Sequence, residues 1–128
     1  FPLMKDSTIE RVKFFSEYKE AHTRKHLDFV VTSGDRPRDP VGSPHKKPDN
    51  AIDITLRWYG DYAPIAAYNH LFAHMLNHWP YRAGIDNTTG NIHIHIDLGQ
   101  GSKTGVPYFF KEDNGKFLYR IESEAQIA

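Results

Sequence analysis

The segment Asn91-Ile-His-Ile-His-Ile-Asp-Leu98 alternates without a break: Ile92, Ile94, Ile96 and Leu98 fall on one side, His93, His95 and Asp97 on the other. A period of two belongs to an extended strand, because successive side chains point to opposite faces of a sheet. The isoleucines require an apolar layer beneath them. The chain must therefore build a sheet with one face buried, and its other face carries two imidazoles and a carboxylate about 6 to 7 Å apart. Outward strand faces ordinarily carry Lys, Glu and Thr, whereas every polar position here can coordinate a cation. The plainer alternative is the exposed polar face of an edge strand.

The other elements follow from local pattern. Ser7 and Glu10 read as a capping box, and Ile9, Val12, Phe15 and Tyr18 recur at helical spacing, which predicts a helix over 7–24. Leu27 to Thr32 is short and rich in β-branched and aromatic residues, so it reads as a buried strand, and Ala51 to Leu56 as a second. Between them, residues 34–50 hold Pro37, Pro40, Pro44 and Pro48, a long loop with fixed turns of the kind that often carries function. Ile65, Tyr68, Phe72, Met75, Leu76 and Trp79 form one stripe, predicting a helix over 63–79. Asn87-Thr-Thr-Gly90 joins 81–86 to 91–98, and Asn114-Gly115 joins 108–111 to 116–121, as two hairpins. The expectation is one α+β domain over 1–128, a small, mainly antiparallel sheet backed by two helices.

At 128 residues such a domain can bury roughly two-thirds of its unfolded surface. Sixteen Lys and Arg balance sixteen Asp and Glu, leaving no net field to steer nucleic acid or an anionic membrane. The absence of cysteine removes disulfides, thiolate metal sites and cysteine nucleophiles together. No basic, then apolar leader opens the sequence, and Phe1 in place of Met reads as a processed or trimmed start. Residues 62–81 lack Asp, Glu, Lys and Arg, but three histidines, two asparagines and two prolines make them too polar for a membrane span.

Eight histidines without one cysteine direct attention to metal binding, for which neutral imidazole is the commonest ligand. His45 lies in the proline-rich loop, and Asp53 occupies the opposite strand face from Ile52 and Ile54. With one histidine of the 93–97 strand they would make the three N and O ligands typical of catalytic zinc. Taken singly, they also fit a turn histidine and a strand-end aspartate. His70, His74 and His78 recur every four residues on the second helix, a spacing that can share a metal, yet they lie opposite the apolar stripe and should face solvent.

Read together, Thr32-Ser-Gly-Asp-Arg36, Val41-Gly-Ser-Pro-His45, Ala51-Ile-Asp53 and Ile94-His95-Ile-Asp97-Leu-Gly99 resemble, in order, the motifs of the D-Ala-D-Ala zinc metallopeptidases. That family cleaves peptidoglycan stem peptides, as carboxypeptidases or as endolysin-type endopeptidases, on a hedgehog-like fold. The resemblance implies Zn2+ held by His45, Asp53 and His95, with Arg36 binding substrate. It further implies Ser43 and Asp97 as supports of the ligands, and His93 as the residue that assists proton transfer. The partner would be a peptidoglycan peptide, and the setting outside the cytoplasm or associated with a phage. Two departures stand out. His45 and Asp53 are eight residues apart where seven is usual, with Asp49 a less attractive alternative ligand. Ile92 occupies the place where many relatives carry Glu. A second expectation is therefore a wall-binding or virion structural module that keeps the fold without the chemistry.

Overall fold

The computed structural model describes residues 6–34, 36–41, 43, 45, 51–97 and 108–127. Helix α1 (Asp6–Ala21) leads into β1 (Leu27–Ser33), and β2 (Ala51–Trp58) and β3 (Asp61–Tyr62) precede helix α2 (Ile65–His78). Four strands follow: β4 (Arg82–Asp86), β5 (His93–Asp97), β6 (Phe109–Asp113) and β7 (Lys116–Ile121). They form one sheet in the order β1-β2-β5-β4-β6-β7, with β3 paired to β2. All pairings are antiparallel except β4 with β6. The fold is thus a small α+β domain with a mostly antiparallel open sheet, as the patterns predict. Among the described residues no helix is long and apolar enough to cross a membrane.

The alternation of β5 orients the whole sheet. Ile94 and Ile96 are fully buried, beside Ile54 and Leu56 of β2 and Ala83 and Ile85 of β4. Ala67, Tyr68, Leu71, Phe72 and Met75 of α2, with Trp79 beyond its end, belong to the same core. Register then places polar residues on the opposite face in rows: Asp53, His95, Gly84 and Phe110 are cross-strand neighbours, and so are His93, Asp86 and Glu112. Gly84 is required here because a Cβ would lie 2.3 Å from Phe110 Cε2.

Four details differ from the sequence expectations. β1 is an edge strand, with Val30 40% and Val31 57% exposed, because it pairs with β2 alone and β-branched composition does not distinguish edge from centre. α1 turns Arg11, Phe14 and Tyr18 inward, leaving Val12 exposed, so its buried stripe is rotated from the one expected. Ile65, at the start of α2, is 36% exposed rather than core. The short strand β3 was not anticipated; its two-residue turn puts Tyr59 (φ 53°) and Gly60 (φ 79°) in the left-handed region, unusual for tyrosine. The side chains of Ser7, Ile9 and Glu10, the segment 46–50 with Asp49, and Leu98 lie outside the described residues.

Both hairpins form. Asn114 (φ 51°) and Gly115 (φ 80°) supply the two positive φ angles that a tight β6–β7 turn requires. Buried Asp86 ties this turn to the β4–β5 loop. It accepts hydrogen bonds from Thr88 N (3.0 Å), Asn91 Nδ2 (3.0 Å) and Gly115 N (2.8 Å).

Candidate metal centre

His95 projects from the central strand β5, Asp53 from its β2 neighbour directly across, and His45 from the loop that precedes β2. The loop fixes His45 twice: its carbonyl accepts from Arg36 N (2.8 Å), and its Nδ1–H donates to the Gly34 carbonyl (2.8 Å). Because a carbonyl only accepts, that bond assigns the proton to Nδ1 and leaves a lone pair on Nε2. His95 Nε2 lies 2.7 Å from the buried Asp97 carboxylate, so its Nδ1 is the side turned toward Asp53, and a cation there would displace the proton that Nδ1 shares with that carboxylate.

These sides converge. His45 Nε2 and His95 Nδ1 are 3.2 Å apart, and Asp53 Oδ1 lies 3.3 Å from the first and 3.0 Å from the second. Zinc–ligand bonds of about 2.0–2.2 Å at tetrahedral angles place ligand atoms about 3.3–3.6 Å apart. The donor set and its spacing therefore fit a zinc ion with little contraction or expansion. His45 and His95 are buried and Asp53 is partly exposed, leaving an approach for solvent.

The electrostatics show a carboxylate and two imidazoles coupled in a small space. Burial pushes Asp53 up, but the His45 and His95 rings against it outweigh that and hold the carboxyl well below the usual range. Burial lowers His95, while Asp53 and Asp97 raise it further, to about 9. The cluster thus favours a positive charge at its centre.

The remaining expected residues surround a cleft of about 640 Å³. Arg36 is half-exposed; its Nε donates to Asp39 (2.9 Å) and its Nη1 to Ser33 Oγ (3.2 Å), and Nη1 lies 3.9 Å from Asp53 Oδ2. Ser43 sits not against His45 but against Asp39, donating at 2.8 Å, so it steadies the carboxylate that holds Arg36. His93 lies one row along from His95. Its Nδ1–H donates to the Asn91 carbonyl (3.1 Å) and its Nε2 faces Glu112 Oε2 at 3.3 Å. Burial lowers His93, but Glu112 and the Asn91 carbonyl raise it above its ordinary value.

Sequence reasoning missed Glu112, Arg82 and Phe110. Arg82 Nε lies 2.9 Å from Asp97 Oδ2, a close charge contact rather than an aligned hydrogen bond, while Nη1 donates to Tyr108 Oη (2.9 Å). Its guanidinium lies over the Tyr108 and Phe110 rings, and Phe110 in turn packs beside His95. The Phe-Lys-Glu alternation in β6 was the available signal for Glu112, but only the parallel pairing to β4 puts it on the cleft face. Asp86, His93 and Glu112 also approach within 4.8 Å of one another. Asp86, however, is engaged by its three N–H donors and serves the two turns.

Tyr62 lines a neighbouring hollow that shares Asp53 and His93 with the first. Trp58 is partly buried against the core, and Tyr59 is exposed. Comparison with known proteins finds no matching family model, no similar curated protein and no matching solved structure.

Proposed function

We propose that this protein is a zinc-dependent peptidase acting on peptidoglycan stem peptides, with His45, Asp53 and His95 as the zinc ligands. The observation that carries the proposal is the convergence of three potential ligand atoms at 3.0–3.3 Å, each histidine being fixed by an acceptor on its far nitrogen. A zinc ion there would act as a Lewis acid and lower the pKa of its water toward about 7. Asp97 keeps the His95 ring oriented, and Arg82 balances the Asp97 charge.

His93 and Glu112 hold one proton at His93 Nε2. This proton would pass to the leaving amine, and the proton given up by the attacking water would return to the His93–Glu112 pair, which ends as it began. Glu112 thereby supplies from β6 a carboxylate that Ile92 does not offer. Arg36, held by Asp39 and Ser33 at the cleft mouth, anchors a substrate carboxylate or steadies developing oxyanion charge. The substrate class comes from the four ordered motifs that resemble the D-Ala-D-Ala peptidases.

The test is incubation of zinc-loaded protein with purified peptidoglycan, scoring new free amines. The wild type should release amines, and His95→Ala should lose both the ion and hydrolysis. Zinc retention with no released amine would favour the second reading, a wall-binding module, which Ile92 in place of Glu motivates.

A further inference from the structure

The histidines of α2 do not stand alone in solvent. His22, just beyond α1, inserts its ring edge-on between those of His70 and His74, with centroids 4.7 and 5.0 Å away and both interplanar angles 89°. Its Nε2 lies 3.1 Å from His74 Nδ1. Tyr18, wholly buried, binds His70 Nδ1 at 2.6 Å, and the His78 ring lies tilted against His74 with centroids 4.3 Å apart. Two helices thus bring four imidazoles to one accessible patch.

We propose that this patch is a second metal site, in which His22 Nε2 and His74 Nδ1 chelate a divalent transition-metal ion and join α1 to α2. The donor separation suits two cis ligands of one ion, and imidazole pairs select zinc, nickel or copper over magnesium or calcium. His70 and His78 stand one helical turn on either side of His74, so a side-chain rotation brings a third imidazole to the ion. The groups acting on His70 and His74 are Arg24 and the other histidines. With burial foremost, they push both below the ordinary value, His74 to about 4, so the rings are neutral ligands at pH 7. The consequence is structural. The helix is otherwise fastened by ring contacts such as Phe14 with Trp79 (5.0 Å) and Phe15 with Phe29 (4.3 Å), and a cation would clamp its C-terminal end.

The site is independent of the cleft, and one experiment separates them. Tag-free wild type, His22→Asn, His74→Asn and the double variant His45→Ala/His95→Ala are titrated with Zn2+ by calorimetry at pH 7.5. Circular dichroism confirms that each variant folds. Wild type should bind two ions, and the cleft double variant should retain one. His22→Asn and His74→Asn should each weaken the helix ion at least about tenfold, equivalent to about 1.4 kcal/mol. Zn2+ should also raise the melting temperature of the cleft double variant, and adding His22→Asn should remove that rise. Unchanged stoichiometry and affinity in both His22→Asn and His74→Asn overturns the proposal. Failure of the cleft alone would appear as a double variant indistinguishable from wild type.

Discussion

Gly84→Ala tests the packing that supports the centre. The added methyl would lie 2.3, 2.4 and 2.8 Å from three atoms of the Phe110 ring. Carbon atoms prefer about 3.5–4.0 Å, so the ring must retreat by about 1.2 Å or more. Retreat is obstructed, because Phe110 is 5% exposed and packs against His95, Tyr108 and Phe117, with the Arg82 guanidinium 5.3 Å from its centroid. Overpacking of this kind typically destabilises by about 1–3 kcal/mol. With a urea slope of about 1–3 kcal/mol/M, the midpoint should fall by roughly 1 M at unchanged slope. Phe110→Leu, which withdraws the clashing ring atoms, should reduce the Gly84→Ala penalty in a double-mutant cycle by about 1 kcal/mol or more. A Gly84→Ala midpoint equal to wild type, or purely additive variants, would refute the argument that Phe110 occupies the space above Gly84.

Two further outcomes follow from other contacts. Asp97→Asn removes the carboxylate that orients His95 and pairs with Arg82, and zinc affinity should fall about 10–100-fold in competition with a chromophoric chelator; unchanged affinity would show that Asp97 does not position the ligand. His74 has a folded pKa of about 4 and an ordinary unfolded value of 6.5, so between these the unfolded chain binds more protons. Its contribution is therefore intact above pH 6.5 and lost as pH falls toward 4. The shift alone would give about 3 kcal/mol, which solvent screening at this partly exposed ring reduces to about 1 kcal/mol. Chemical denaturation at pH 6.5 and 4.5 should show a shallower loss in His74→Gln than in wild type, and equal losses would count against it.

Much of this arrangement was legible from periodicity. The break-free alternation of 91–98 fixes which side chains of β5 face the core, and Asn114-Gly115 marks a tight turn by its backbone preference alone. Residue type and motif order single out His45, Asp53 and His95, and the fold brings their ligand atoms within 4.8 Å of one another. What was hidden depends on which strands become neighbours. Nothing local to Glu112 announces His93 as its partner, because their row exists only once β6 lies parallel to β4 on the side away from β5. His22 was overlooked for the same reason: the spacing of His70, His74 and His78 describes one helix, whereas the contact is made by two. The exposure of β1 was misjudged because valine and phenylalanine favour strands whether or not a neighbour covers them.

The bonding of Asp86 bears on where motion can occur. A single side chain joins amides of two loops at positions 88 and 115, so those loops cannot open separately without exposing a buried anion. Their amide protons should exchange with solvent together, at rates set by sub-global opening rather than by loop fluctuation. That end of the cleft is a fixed wall.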